Sequence, residues 1–207
     1  FGRCHKLTTV NFPAVEGIGS SIFFDCPELT TVDFPLVIVT GDSVFWNCSA
    51  LTTVNFPALN VIRPSTFRKC SALTTINFPV AKKIEPGAFE NCSALTTVSF
   101  PALTNIGIYA FQNCSALTTA DFPAVTSIDN GAFYNCSALT ALILRSETMA
   151  VLKYTKAFDG TPIESGTGYI YVPAALIDSY KTATNWTTYA DQFRTIEDYP
   201  DICGGVE

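Results

Sequence analysis

Charge is scarce in this chain. Only 14% of its 207 residues are Asp, Glu, Lys or Arg, against roughly 25% in an average soluble protein. Bases are scarcer still, 12 against 18 acids, for a net charge of −6. No basic stripe exists to neutralise phosphates, which excludes nucleic acid as a partner, and an acidic surface is repelled by anionic membranes. Histidine is reduced to one residue, His5, so a histidine-based triad or multi-histidine metal site has no material to work with. No run of 18 apolar residues occurs, so no direct membrane insertion through an apolar helix is expected.

What the chain does have is repetition. Seven of its eight cysteines stand at Cys4, Cys26, Cys48, Cys70, Cys92, Cys114 and Cys136, each 22 residues after the last. A fixed period of this size marks a stacked repeat architecture. Counted from the cysteine, the repeat reads C-S-A-L-T-T-V-N-F-P-A-L-x-x-I-x-x-x-A-F-x-N. In L-T-T-V-N-F the apolar residues alternate with polar ones, the period of a half-buried strand. The proline that follows cannot donate to a ladder and ends the strand at a corner. Two phenylalanine columns run through the stack, from Phe12 to Phe122 and from Phe23 to Phe133. One repeat cannot bury such a pair, but neighbours stacked at ~4.8 Å can. The return segment, as in Pro86-Gly87-Ala88-Phe89, suits a short helical turn or a loop. Phe1-Gly2-Arg3-Cys4 carries the Phe that precedes every later cysteine, so the sequence is expected to start inside a preceding repeat.

The predicted fold is a solenoid of about seven 22-residue rungs, an α/β-type right-handed superhelix with a parallel sheet on one face. Residues 1–160 are assigned to the rungs and 161–207 to a cap of the same domain. In the cap, Tyr169 to Pro173 reads as a strand, Ala174 to Lys181 as a short helix, and Tyr189 to Phe193 as a second helical turn.

The core L-x-x-V-x-F, joined as A-F-x-N-C-S-A-L-T-T-V-x-F-P, closely resembles the repeats of BspA-like leucine-rich-repeat proteins. The closing stretch, from Tyr171-Val172-Pro173 through Tyr180-Lys181 and Asn185-Trp186 to Ile196-Glu197, resembles the end of the same arrays. The usual Asn or Cys after the last apolar strand position is missing; Leu, Val or Ala stands there. The resemblance implies an extracellular or cell-surface protein of bacteria or some protists, with a non-catalytic role in adhesion to matrix proteins, glycans or other cells. A spacer displaying another domain is the alternative.

Each constellation has a competing structural reading. A column of cysteines offers one thiol per rung, unsuited to tetrahedral zinc. Neighbouring rungs are close enough for disulfides, but stacked side chains point the same way and pairing would orphan the seventh. Small buried thiols filling a corner is the reading carried forward. Asp33 and Asp121 share a repeat position but lie roughly 19 Å apart by strand spacing, beyond the reach of a glycosidase pair. No cofactor or metal is called for. Asn47, Asn91, Asn113, Asn135 and Asn185 begin N-x-S/T triplets, which a repeated turn asparagine explains as well as glycosylation does.

Two surfaces are candidates for binding a protein or glycan. The outward sheet positions form one column through Thr31, Thr53, Thr75, Thr97 and Thr119, and another through Asp33, Asn55, Asn77, Ser99 and Asp121. They could equally satisfy each other and simply give the sheet a soluble face. The position after the second Phe varies, and Phe24, Trp46 and Tyr134 make it an aromatic edge. A monomer is expected, with end-to-end contact available through the N-terminal rung.

Overall fold

The structure, a computed structural model, describes residues 1–204; the Cys203 side chain and residues 205–207, the last three of the expected cap, lie outside the described residues. The strands predicted from L-T-T-V-N-F form, from Thr9–Asn11 to Ala141–Leu144, and pair in parallel with the same residue of the next rung opposite, Val10 to Val32 and Ala120 to Leu142. Their inward residues reach one core through the stack. The first Thr of each L-T-T pair explains its own recurrence: the hydroxyls of Thr30, Thr52, Thr74, Thr118 and Thr140 donate to a carbonyl one rung back at 3.1–3.4 Å.

A second strand column, two residues long, follows each corner, from Gly17–Ile18 to Val151–Leu152. It buries Ile18, Ile62, Ile84, Ile106, Ile128 and Leu152. Between the helical turn and the loop expected for the return segment, the six complete repeats take the loop and the last rung a 3-10 turn, Thr155–Phe158. Its turns join into a third hydrogen-bonded ladder, since Ser21, Phe23 and Asp25 N–H donate to Asp42, Val44 and Trp46 carbonyls, and the pattern repeats rung by rung to Asn113. Two turn positions are left-handed: Ser21, Ser43, Ser65, Gly87, Tyr109 and Gly131 at one, and Arg3, Asp25, Asn47, Lys69, Asn91, Asn113 and Asn135 at the other. Asn, Asp and Gly tolerate that backbone best, which explains the asparagine before Cys48, Cys92, Cys114 and Cys136 and the aspartate before Cys26.

The phenylalanine columns fill the space between ladders. Phe23 to Phe158 stack with centroids 5.3–5.6 Å apart and planes within 14° of parallel. Phe12 to Phe122 stack at 5.4–6.4 Å. The seven repeat cysteines are free thiols. They are more than filler: Cys48, Cys70, Cys92, Cys114 and Cys136 Sγ each donate to the Phe carbonyl 25 residues back, at 3.0–3.2 Å.

Both strand columns are interrupted. The first sheet breaks between Thr75–Asn77 and Thr97–Ser99, the second between Val39–Thr40 and Val61–Ile62. At the second break stands Thr40, the polar member of an otherwise Ile and Leu column, 3% exposed and with its Oγ1 unbonded. An unsatisfied buried hydroxyl is unfavourable by about 1–3 kcal/mol. Thr40→Val keeps the shape and removes it, so thermal melts should show a midpoint roughly 2–12 °C higher; an unchanged or lower midpoint would refute this account.

The cap extends the first sheet by two strands, Tyr169–Val172 and Phe193–Thr195. The predicted helix appears as a 3-10 turn, Ala174–Leu176, running into an α-helix, Ile177–Thr182. The second helical turn lies earlier than expected, at Trp186–Gln192. Phe193 belongs instead to a strand, because pairing with Ile170 turns its ring into the core beside Trp186 and Tyr180.

Cap side chains stand in for the missing next rung. In the repeats, the carbonyls of Thr104 and Thr126 accept N–H groups from the following rung, as do those of Ile106 and Ile128. The equivalents in the last rung are Ala150 and Leu152. Trp186 Nε1 donates to Ala150 O at 2.8 Å and Asn185 Nδ2 to Leu152 O at 2.7 Å. Ala150 N–H donates to Tyr180 Oη at 2.8 Å. Gly160, in the left-handed position that Asn135 holds one rung earlier, donates its N–H to Glu164 Oε2 at 2.6 Å.

Candidate interaction surface

The sheet face divides into three. Thr31, Thr53 and Thr75 stand opposite one another, as do Asp33, Asn55 and Asn77. Asn55 Nδ2 donates to Asp33 Oδ1, and Asn77 Nδ2 to Asn55 Oδ1, both at 2.7 Å. These amides are already partnered. Beyond the break, Thr97 and Ser99 pair in register with Thr119 and Asp121. Asp121 is held by the Arg145 guanidinium through contacts of 3.0–3.1 Å. The columns then turn apolar: Ala141, Ile143 and Tyr171 form a small separate cluster with Tyr169 and Ile196 against it. Tyr199 packs edge-on to Tyr171, and Arg194 lies 4.2 Å over the Tyr169 ring. The cap therefore covers the C-terminal end of this face.

The aromatic edge is not one surface. Phe24 and Trp46 stack at 4.6 Å with planes 7° apart. Arg3 lies 5.9 Å from the Phe24 centroid and Lys69 5.1 Å from that of Trp46, so this pair is sandwiched between cations. The same column continues as an Arg68–Glu90 ion pair at 2.9 Å. Tyr134, four rungs from Trp46, is not brought to this group; it lines a cavity with Tyr109, Gln112, Asn130, Gly131, Lys156 and Asp159.

The asparagine amides of the N-x-S/T triplets are engaged: Asn47 with Asp25 at 2.6 Å, Asn113 with Asn91 and Asn135 with Asn113 at 3.2 Å. Asn91 bonds Glu90 and Asn185 the Leu152 carbonyl. The Asn47 amide, with a lesser contribution from His5 at 3.5 Å, holds the Asp25 carboxyl below its usual range against the opposing effect of burial. Burial pushes the thiols the other way: Cys48 is raised to about 12, and Cys70, Cys92 and Cys114 lie well above an ordinary thiol. Among the described residues, no group of three His, Cys, Asp or Glu converges as metal ligands would.

Sequence reasoning missed rung two. Leu36, Ile38 and Val39 are 50%, 58% and 57% exposed, at the break in the second sheet and beside a surface cavity that Ile38 and Val39 line with Thr40, Asp42, Val61 and Arg63. Other complete rungs put Glu16, Asn60, Lys82, Thr104 and Thr126 at the position of Ile38, Gly17, Val61, Lys83, Asn105 and Ser127 at that of Val39, and Ala or Val at that of Leu36. Aligning the return segments, rather than the strands, would have shown the difference.

Stacked parallel strands at a 22-residue period, closed by a cap, define a leucine-rich-repeat solenoid. The profile of the BspA type leucine rich repeat region matches residues 1–82 and 60–168, with six copies, and the chain belongs to that family. Among solved structures it is similar to a leucine rich cell surface protein from Faecalibacterium prausnitzii, at 27% identity and a TM-score of 0.62 over 79% of this chain and 45% of that one. The leucine rich repeat protein of T. pallidum is similar at 28% identity and TM-score 0.62, over 67% of each chain. A leucine-rich repeat protein from Bacteroides ovatus, 21% identical with a TM-score of 0.55 over 92% of this chain and 43% of that one, shares the fold. The chain thus spans less than half of the Faecalibacterium and Bacteroides proteins. No curated protein matches its sequence.

Proposed function

We propose that this chain is a non-catalytic interaction module of the bacterial cell surface, a monomer that binds a matrix protein, a glycan or another cell's surface. The observation that carries this is the apolar patch on rung two. Ile38 is turned to solvent where the other complete rungs place Glu, Asn, Lys or Thr, with Leu36 and Val39 exposed beside it, and monomers gain nothing by exposing such a group. The cell-surface designation of the Faecalibacterium relative supports the location. End-to-end contact would use the N-terminal rung, where Phe1, Phe12, Val15, Ile18 and Ile22 help line an apolar cavity of about 220 Å³.

Surface plasmon resonance against immobilised matrix proteins tests the reading. Binding should fall at least tenfold in Ile38→Lys, with the melting temperature held within about 2 °C because the side chain is exposed. Equal binding by the variant would remove the patch from the account. The partnered Asp33–Asn55–Asn77 amides favour the spacer reading for that part of the sheet face; a spacer binds none of the ligands.

A further inference from the structure

The residue that departs furthest from its own column is Tyr109. Its equivalents are Ser21, Ser43, Ser65, Gly87 and Gly131, and all six have a left-handed backbone, Tyr109 at φ 54. Glycine takes this conformation freely and serine with a small side chain, but it disfavours a bulky aromatic. Stability alone therefore gives no reason for tyrosine here, and strain held at one position points toward function.

The next rung is fitted to the ring. A Cβ on Gly131 would stand 2.3 and 2.4 Å from Tyr109 Cε1 and Cδ1, so the Tyr109 ring occupies the space a side chain would need. The ring stays 40% exposed, and Tyr134 beside it is 36% exposed. Together with Gln112, Asn130, Lys156 and Asp159 they line an open cavity of about 520 Å³. Elsewhere on the rungs, polar side chains pair across the stack, as Asp25 with Asn47 and Arg68 with Glu90. Here, among the described residues, the Gln112, Asn130, Lys156 and Asp159 side chains make no hydrogen bond or ion pair.

We propose that this cavity is a carbohydrate-binding site for one or two sugar rings of a glycan. Exposed tyrosine rings offer a negative π-face to the C–H groups of a pyranose. The Gln112 and Asn130 amides carry both donors and acceptors, the Asp159 carboxylate accepts and the Lys156 ammonium donates, a set that matches neighbouring hydroxyls. A shallow, solvent-open cavity with unpartnered polar side chains suits a ligand that is itself covered in hydroxyls. The proposal rests on the reading of the chain as an interaction module and names one ligand class and site for it.

Affinity electrophoresis of the full chain in native gels cast with yeast mannan, barley β-glucan or gastric mucin is the test. At least one glycan should retard the wild type relative to a glycan-free gel, and Tyr134→Ala and Gln112→Ala should weaken that retardation tenfold or more. Tyr109→Ser, which restores the residue used at positions 21, 43 and 65, should abolish retardation while leaving the melting temperature unchanged or raised. Ile38→Lys should migrate as the wild type does. Retardation by none of the three glycans, or retardation that survives Tyr109→Ser, overturns the proposal. A Tyr109→Ser melt several degrees lower also overturns it, since the ring would then be packing. Wild-type binding to a matrix protein with no glycan retardation would overturn this site and leave the module standing; binding to neither would remove both.

Discussion

Raising the pH from 8 to about 11 is expected to unfold this protein at room temperature. Burial raises the Cys48 thiol to about 12 and drives Cys70, Cys92 and Cys114 well above the ordinary range. In the unfolded chain the same thiols titrate near ~8.5. Below that pH both states hold their protons, so the stabilisation by the neutral thiols is fully present. Above it the unfolded state releases protons that the folded state keeps, and stability falls as pH rises toward the folded values. Each thiol then loses about 1.4 kcal/mol per pH unit, so four lose about 5 kcal/mol per unit. Set against a total of roughly 5–15 kcal/mol for an ordinary domain, the midpoint falls between roughly pH 9.5 and 11. The buried Tyr180 and Tyr189 hydroxyls, raised mainly by burial, act in the same direction at higher pH. Urea titrations followed by circular dichroism at successive pH values would measure the slope. Replacing Cys70, Cys92 and Cys114 together by Ala should flatten it by about three quarters. A urea midpoint that does not move between pH 8 and 10 would show that the thiols do not govern stability.

The second large effect lies at the other end of the array. Trp186 closes the Phe23-to-Phe158 column with its ring 6.1 Å from Phe158 and 5.7 Å from Phe193, and its Nε1 occupies the Ala150 carbonyl. Trp186→Ala removes a buried aromatic, unfavourable by about 3–5 kcal/mol. It also orphans a carbonyl whose equivalents Asn60, Lys82, Thr104 and Thr126 are satisfied by the next rung, a further 1–3 kcal/mol or so. Trp186→Phe keeps most of the packing and loses the bond, so its deficit should be roughly 1–3 kcal/mol. Trp46, the other tryptophan, then reports alone from rung two. Stacked repeats couple only to their neighbours, so in Trp186→Ala the fluorescence transition should come at higher urea than the circular dichroism transition. A loss below 1 kcal/mol, with coincident transitions, would mean the last rung needs no such cover.

Much of this architecture is legible in the sequence because it is written repeatedly. The strand over Thr31–Asp33, the inward Leu and Phe positions and the cysteine corner recur often enough for the pattern to separate from chance. The second strand column escapes because two residues, such as Asn105–Ile106, are too few to show alternation. The third ladder escapes for a different reason. It is built from left-handed turns, and only the Asn before the cysteine and the Gly at 87 and 131 hint at them. Phe193 misleads because apolar spacing alone does not distinguish a short helical turn from a strand that pairs with a distant partner. The candidate surfaces were harder still. Listing Thr, Asn and Asp columns says which side chains face out, not which of them are already bonded, as Asp33 and Asn55 are. Trp46 and Phe24 were visible as unusual residues, but their mutual stacking depends on the rung spacing. Ile38, Val39 and Tyr109 sit in segments whose consensus is weakest, where a departure is hardest to notice, and Leu36 only enlarges a position that is Ala or Val elsewhere.

The third ladder has an electrical consequence. In every bond from Arg3 to Asn135 the earlier rung donates and the later rung accepts. Peptide dipoles that alternate in an ordinary sheet cancel; these are aligned along the stack, as in a helix. This ladder therefore has a positive end, where N–H groups run out, and that end faces the cap, while the second strand column, whose later rungs donate to earlier ones, is aligned the other way. Glu164 receives the Gly160 N–H there, placing a full negative charge where the next rung would have offered only a carbonyl. Each rung inserted into such an array lengthens both opposed ladders without changing how their ends must be terminated, N–H groups in one and carbonyls in the other.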